Sequence, residues 1–159
     1  MLKLVLALVL LWPPLARAQE AVFLVRHGQK ADASDDPPLS PAGVERSRAL
    51  AQHMRRAGLT AIYASDRQRT QLTAAPTAEA LALKVLVHPA KDSTGLVARL
   101  AKEQPTGRVL VVGHSNTLPA IVAAYGVKDK VEIADDDFDT LLVLVPRKEG
   151  PPLLLRLRW

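Results

Sequence analysis

The chain has 159 residues, a formal net charge of +5 and no cysteine. A length in this range favours a single domain, and the lack of cysteine excludes disulfides, thiol nucleophiles and lipid attachment through cysteine. The positive excess is mild and contains no long basic run. It therefore favours a small anionic substrate as the partner and gives only weak support for nucleic acid, which is not expected as a partner.

Residues 1–18 have the pattern of a secretory signal peptide. Lys3 gives a positive start, residues 4–12 form an apolar run, and Ala16-Arg17-Ala18 fits a cleavage site. The apolar run is shorter than the roughly 20 residues that span a bilayer, so cleavage after Ala18 is expected and an uncleaved anchor is the alternative. Removal of Lys3 and Arg17 lowers the formal charge from +5 to +3. The expected product is one secreted or periplasmic domain, residues 19–159, without stable membrane association.

Apolar runs of strand length alternate with helical patterns along this domain. Strands are predicted at 21–25, 61–64, 84–87, 108–112, 140–145 and 153–157, and helices at 41–57, 67–83, 93–103 and 117–125. Nearly continuous apolar strands separated by helices are typical of a mostly parallel sheet with both faces covered. A short turn joins the last two strands, which favours an antiparallel hairpin. The predicted fold is an α/β, three-layer α/β/α sandwich whose mostly parallel central sheet has an antiparallel edge strand.

Residue types at the helix ends refine these boundaries. Ser40-Pro41 predicts an N-cap followed by proline at the first helical position. Ser65 and Asp66 are both good N-cap residues for the second helix, and Pro76 is expected to kink it. Gly58 is the expected residue just beyond the end of the first helix.

Three polar clusters follow predicted strands. They are Arg26-His27-Gly28, residues 65–69 and residues 113–116. Ligands of open α/β sheets bind beyond the carboxyl ends of the strands, so we expect the three clusters to converge on one pocket. Arginine forks match phosphate oxygens and histidine adds hydrogen bonds, which predicts a phosphate site.

These stretches resemble the histidine phosphatase superfamily, which has the phosphoglycerate-mutase-like fold. The matching segments are "FLVRHGQK" at 23–30, "IYASDRQRTQLTAA" at 62–75 and "VLVVGHSNT" at 109–117. The resemblance runs over essentially all of residues 19–159 and, together with the signal pattern, suggests a small exported branch of that superfamily.

The resemblance implies roles for four residues. His27 would be the nucleophile that carries the phosphoryl group as phosphohistidine. Arg26 and Arg69 would bind the phosphoryl oxygens, and His114 would bind phosphate and stabilise charge during transfer. A neutral imidazole is a competent nucleophile near pH 7, and positive side chains can stabilise the phosphoryl oxygens. The resemblance therefore implies no metal and no other cofactor.

Gly28 and Gln29 are also expected in the substrate site. Gly28 would let the backbone turn sharply toward it. Many relatives carry Glu or Asp where this chain has Gln29, and Lys30 adds positive charge beside it.

The general acid is left open by the sequence. Larger relatives have an insertion that carries a glutamate acid, whereas only residues 88–107 separate the third and fourth strands here. Asp92 is the best-placed carboxylate to donate a proton to a leaving alkoxide, provided that the geometry brings it there. Without an acid, aryl phosphates or phosphoramidates would be preferred substrates.

For several other polar residues a structural role is an alternative to a role in the active site. Arg67 is by default an exposed charge, and Asn116 can cap the helix that follows it. Asp135, Asp136, Asp137 and Asp139 favour a solvated loop over a metal site, because they lack the spacing of a calcium-binding loop.

The expected activity is hydrolysis of a small phosphomonoester through a phosphohistidine. One alternative is a phosphohistidine protein phosphatase, against which the export signal argues. The other is a phosphate-binding module without catalysis, which would not need an intact nucleophile. A mutase is less favoured because a short chain has little room for insertions that retain the substrate. The sequence does not indicate the oligomeric state.

Overall fold

The computed structural model describes residues 19–159, so the predicted signal peptide at 1–18 lies outside the described residues. Within the described part of the chain, no helix has the length and apolar character needed to cross a membrane.

Six strands and four helices follow one another in the predicted order. They are β1 Gln19–Arg26, α1 Pro41–Met54, β2 Leu59–Ser65, α2 Gln68–Ala80, β3 Val85–His88, α3 Ser93–Glu103, β4 Gly107–Gly113, α4 Thr117–Ala124, β5 Thr140–Val145 and β6 Leu153–Arg158. The strands form one sheet in the order β3-β2-β4-β1-β5-β6. The first four are parallel, while β5 runs antiparallel to both β1 and β6. The α/β class, the mostly parallel sheet and the antiparallel edge hairpin are thus confirmed.

The helices cover the sheet on both faces, because side chains of a strand point alternately to its two sides. In β1, Val22 and Leu24 belong to the cluster that includes buried residues of α3 and α4. Ala21 and Val25 belong to the cluster with buried residues of α1 and α2. This accounts for the almost continuous apolar sequence of the central strands.

The start of α2 differs from the prediction. Ser65 is the last residue of β2, and the N-cap position is Arg67, whose side chain makes no capping hydrogen bond. The backbone N–H of Gln68 donates to the Asp36 carboxylate at 3.0 Å instead. Ser65 and Asp66 are therefore wrong as N-caps, because a carboxylate from a distant loop satisfies the free N–H at this helix end. Pro76 does lie inside the helix, as expected.

The first helix also ends earlier than predicted, at Met54. The chain then turns, and Gly58 has a φ of +68°, in the left-handed region that glycine tolerates. The N-terminus of α1 matches the prediction: the Ser40 side chain accepts from the backbone N–H of Gly43, and Pro41 follows it.

Strand register brings the three polar clusters to one edge of the sheet. Arg26 pairs with Gly113 across β1 and β4, and Ala64 pairs with Val112 across β2 and β4. The backbone N–H of His27 donates to the Gly113 carbonyl at 3.0 Å, which ties the first and third clusters directly.

Candidate active site

His27 is held as a neutral imidazole by its surroundings. Its Nδ1 lies 2.7 Å from the Gly28 carbonyl oxygen. A carbonyl only accepts, so Nδ1 carries the proton and Nε2 carries the lone pair. Burial lowers the pKa of His27 to about 4; the Gly28 carbonyl opposes this, and the charges of Arg69, Arg26 and Lys30 reinforce it. At neutral pH Nε2 is therefore unprotonated and able to act as a nucleophile.

Arg69 lies between the two histidines of the site. Its Nε donates to His27 Nε2 at 3.2 Å, and its Nη2 is 3.5 Å from His114 Nδ1. The two imidazole rings meet edge to face, with centroids 5.1 Å apart. Asp36 Oδ1 lies 3.5 Å from Arg69 Nη1 on the other side. One guanidinium thus faces both imidazoles and is oriented by a carboxylate.

His114 is held through two buried hydroxyls. Its Nε2 is 2.8 Å from Ser65 Oγ, which is 2.8 Å from Thr70 Oγ1. Thr70 Oγ1 donates to the Arg67 carbonyl at 2.7 Å. Because that carbonyl can only accept, a consistent chain runs from His114 Nε2–H to Ser65, then to Thr70, then to the backbone. The lone pair of His114 Nδ1 therefore faces Arg69.

The pKa of His114 is also strongly lowered. Burial lowers it to about 3, with further lowering from His27 and Arg69 and a smaller opposing effect from Asp66. Both imidazoles are thus neutral above about pH 5 in the absence of an anion, and the positive charge of the site resides on the arginines.

Arg26 is held by backbone carbonyls that the sequence did not indicate. Its Nη1 donates to the carbonyls of Ala134 at 2.9 Å and Asp135 at 2.8 Å. The guanidinium lies 4.3 Å from the centre of the Phe138 ring. Burial lowers the pKa of Arg26, and the Asp135 charge opposes this. The loop after α4 thus fixes the orientation of Arg26.

Two donor atoms of the arginine pair remain unsatisfied within the described residues. They are Arg26 Nε and Arg69 Nη1, both buried; the Asp36 carboxylate, 3.5 Å from Arg69 Nη1, makes an ion pair with it but no hydrogen bond. A buried donor without a partner is costly, and charged donors are the most costly. Oxygen atoms of a phosphoryl group are acceptors suited to such nitrogens.

Gly28 and Thr73 connect the nucleophile loop to α2 and α1. The Gly28 N–H donates to Thr73 Oγ1 at 2.9 Å, and Thr73 Oγ1 donates to the Arg69 carbonyl at 2.7 Å. A Cβ at Gly28 would lie 2.8 Å from the Gly43 carbonyl oxygen. Glycine is therefore needed here because the backbone packs closely against α1. The sequence analysis expected a different reason, a sharp turn of the backbone.

Sequence reasoning missed the supporting residues Thr70 and Thr73, and it missed the role of Ser65 within a cluster that it did place at the pocket. All are buried. Thr73 lies four residues after Arg69 and so on the same helix face, which was a usable signal. The sequence predicts capping for Ser65, whereas the structure makes it the last residue of β2, bonded to His114.

Gln29 contacts α1. Its carbonyl accepts from the Ser40 N–H at 2.9 Å, and its Oε1 accepts from Arg46 Nε at 3.3 Å. These contacts anchor the loop that follows the nucleophile, while its role in substrate binding stays a prediction.

Asp92 is the N-cap of α3. Its Oδ1 accepts from the Gly95 N–H at 2.9 Å, and its Oδ2 lies 3.4 Å from His88 Nε2. None of its hydrogen bonds within the described residues reaches His27, Arg69 or His114. A role as proton donor stays a prediction, to be weighed against this capping role.

The aspartates at 135–137 and 139 do not form a ligand cluster. Asp137 accepts from the backbone and hydroxyl of Thr140, and Asp139 pairs with Arg158. Across residues 19–159, no group of three or more His, Cys, Asp or Glu side chains is arranged to hold a metal ion.

An open cleft of about 390 Å³ adjoins Arg69 and His114. Its lining consists of Arg67, Arg69, Ala90, Lys91, Ser93, His114, Asn116, Thr117 and Ala120. A phosphoryl group bound to Arg69 and His114 would have the rest of its molecule in this cleft.

Sequence comparison finds a family profile that matches the first half of the domain. The profile of the histidine phosphatase superfamily (branch 1) matches residues 22–92, somewhat less than half of the chain. A probable phosphoglycerate mutase, GpmB, of Yersinia enterocolitica is 40% identical over 75 residues. That match spans 43% of this chain and 35% of the relative, so the chain matches only about a third of the length of its curated relatives.

Solved structures share the fold over a larger part of the chain. A mycobacterial glucosyl-3-phosphoglycerate phosphatase superposes with a TM-score of 0.70 at 18% identity, covering 88% of this chain and 98% of the other. The protein histidine phosphatase SixA, in complex with tungstate, superposes with a TM-score of 0.69 at 21% identity, covering 87% and 96%. The solved structures thus share the fold of this chain, while the sequence matches are to the histidine phosphatase superfamily profile and to a probable phosphoglycerate mutase.

Proposed function

We propose that this protein is a phosphatase that hydrolyses small phosphomonoesters through a phosphohistidine at His27. The observation that carries the proposal is the unprotonated His27 Nε2, 3.2 Å from Arg69 Nε. A bound phosphoryl group would take the place of the Arg69 Nε–H at this lone pair, so that Nε2 faces phosphorus while the guanidinium binds the phosphoryl oxygens.

In the first step, Nε2 attacks phosphorus and the bond between phosphorus and the ester oxygen breaks. Arg26 and Arg69 hold the phosphoryl oxygens and stabilise their charge. The attack leaves His27 phosphorylated at Nε2 and protonated at Nδ1, so the ring becomes positive. The Gly28 carbonyl, 2.7 Å from Nδ1, stabilises that charge. The leaving alkoxide takes a proton from water or from an acid at the cleft.

In the second step, water attacks phosphorus and the bond between phosphorus and Nε2 breaks. Inorganic phosphate leaves, the water proton goes to phosphate or solvent, and the His27 lone pair is restored. His114 faces the same space through Nδ1 and can hold a phosphoryl oxygen once that nitrogen is protonated. This cycle needs no metal, since two guanidinium groups supply the positive charge.

A phosphohistidine protein phosphatase is the second candidate. The side chains that line the cleft include no carboxylate, and an imidazole is a better leaving group than an alkoxide, so it has less need of an acid. The fold neighbour SixA is a protein histidine phosphatase. Faster turnover of phosphohistidine peptides than of any phosphomonoester would favour this candidate.

The first test is phosphate release from p-nitrophenyl phosphate, with and without EDTA. We expect activity that survives EDTA and falls at least about a thousandfold in His27→Ala. His53→Ala is the matched control, since His53 is an exposed residue of α1 bonded to the Ala49 carbonyl. Activity that persists in His27→Ala, or that EDTA abolishes, would contradict the proposal. A wild-type protein without turnover of this ester would favour a phosphohistidine substrate or a module that only binds phosphate.

We also propose that the protein is exported and that residues 1–18 are removed. The support is the pattern of charge, apolar run and cleavage site in that segment. Amino-terminal sequencing of the protein from its native cells should begin at Gln19, whereas an intact Met1 in a membrane fraction would indicate an uncleaved anchor.

A further inference from the structure

We infer that the leaving alcohol of the substrate carries a second anionic group, which Arg67 and Lys91 bind. This inference rests on the proposed phosphatase function and adds the class of substrate to it.

The position of the nucleophile determines where the leaving group lies. In-line displacement places the leaving oxygen on the side of phosphorus opposite His27 Nε2. His27 is only 4% exposed and does not line the cleft, whereas Arg69 and His114 do. A phosphoryl group held by those two residues has His27 behind it and the cleft in front. The leaving alcohol therefore extends into the cleft.

The cleft wall beyond the phosphate-binding residues is positively charged. Its remaining charged side chains are Arg67 and Lys91, and none of the lining residues is acidic. Asn116 and Ser93 line the same wall and add an amide and a hydroxyl as hydrogen-bond donors. A carboxylate or a second phosphate is the group that two cations and neutral donors recognise.

The carboxylates near this wall, including Asp36 beside Arg69, do not line the cleft. Asp35 pairs with Arg67 at 3.2 Å, but its side chain is 93% exposed, so the pair is weakly held and can be exchanged for a ligand. Asp66 accepts from the Ala90 N–H at 3.1 Å, and Asp92 caps α3. Lys91 forms no ion pair with any residue from 19 to 159.

The test compares aryl esters that differ in the second group. The first pair is 3-carboxyphenyl phosphate and 3-carbamoylphenyl phosphate, which have similar size and differ in charge. A third ester, the bisphosphate of 1,3-dihydroxybenzene, distinguishes a second phosphate from a carboxylate. We expect kcat/KM for the better anionic ester to exceed that of the amide about tenfold, mainly through KM, as charge-assisted hydrogen bonds allow.

The double variant Arg67→Gln/Lys91→Gln should bring that ratio to about one. Arg55→Gln/Arg56→Gln is the matched control: it removes the same charge at exposed positions beyond the far end of α1 and should keep the wild-type ratio. Thermal unfolding of both double variants checks that they are folded.

Equal turnover of charged and neutral esters by the wild type would overturn this inference and leave the phosphatase proposal intact. A preference that survives Arg67→Gln/Lys91→Gln would overturn the assignment of the two residues. Failure of the protein to hydrolyse any of the three esters would instead reject both proposals.

Discussion

The two buried histidines present opposite ring nitrogens to Arg69. His27 donates through Nδ1 to the Gly28 carbonyl, and its Nε2 faces Arg69. His114 bonds through Nε2 to the Ser65 hydroxyl, and its Nδ1 faces Arg69. A carbonyl only accepts, so the tautomer of His27 is determined permanently. A hydroxyl can accept or donate, so His114 can change its protonation when an anion binds. The nucleophile His27 thus has one tautomer, whereas His114 can change its protonation state.

The largest effects should come from the histidines themselves, and they should be unequal. We expect His27→Ala to lower kcat/KM on aryl phosphates at least about ten times further than His114→Ala, because only the first removes the attacking atom. His114→Ala should cost on the order of a hundredfold, the scale of one lost oxyanion donor. Equal losses in steady-state kinetics would remove the distinction between nucleophile and partner.

A smaller effect should follow from breaking the hydroxyl chain behind His114. Ser65→Ala and Thr70→Val should each lower kcat about three- to tenfold and change the pH profile of kcat, since His114 loses its positioning bond. Thr77→Val is the matched control in the same helix, because the buried Thr77 hydroxyl has no partner within the described residues. It should leave both the rate and the profile unaltered. A pH profile unchanged in Ser65→Ala would show that the hydroxyl only packs.

The pH dependence sharpens the comparison further. Protonation removes the His27 lone pair, and its pKa is lowered to about 4. We therefore expect kcat/KM to fall as the pH drops through about 4, well below the pKa of an ordinary histidine. An acid limb centred near pH 6.5, after correction for substrate ionisation, would mean that His27 is not buried as described.

The free energy of unfolding should also decrease as the pH falls. In the unfolded chain both histidines become protonated near pH 6.5. In the folded protein the pKa is lowered to about 4 for His27 and to about 3 for His114. Burial of the two neutral rings therefore costs no stability above pH 6.5. The free energy of unfolding falls as the pH drops from there toward 3, because the unfolded chain takes up the protons first. Urea unfolding between pH 7 and 4 should show declining stability in the wild type and a shallower decline in His27→Ala.

The smallest expected effect concerns Asp92. Asp92→Ala should lower the free energy of unfolding by about 1 kcal/mol through loss of the α3 cap, and Asp92→Asn by less, because asparagine also caps helices. Urea titration measures both. A selective loss of alkyl phosphate turnover in Asp92→Asn, with aryl phosphate turnover retained, would identify Asp92 as the proton donor.

Local patterns in the sequence were sufficient for much of the fold. The predicted bounds of α3 and β5 match the structure to the residue, since an amphipathic helix and a short continuous apolar run are defined by neighbouring residues. The convergence of the residues around His27, Arg69 and His114 also followed from the placement of each cluster at a strand end.

Long-range partners could not be predicted in this way. Asp36 satisfies the N–H of Gln68 from a loop 32 residues earlier, and the carbonyls of Ala134 and Asp135 hold Arg26 from the opposite end of the chain. The aspartate segment was predicted to be a solvated loop, and the backbone carbonyl of Asp135 within it binds Arg26 of the site. Such contacts depend on the tertiary arrangement and leave no periodicity in the sequence.

Trapping of the phosphoenzyme tests the central claim most directly. Wild-type protein would be mixed with excess aryl phosphate, quenched in alkali within its first turnovers and analysed by mass spectrometry of peptides. The account predicts one acid-labile phosphoryl group on His27, absent in His27→Ala and still formed in His114→Ala. A phosphoryl group on His114, or turnover by the wild type in which no phosphoenzyme forms, would contradict it.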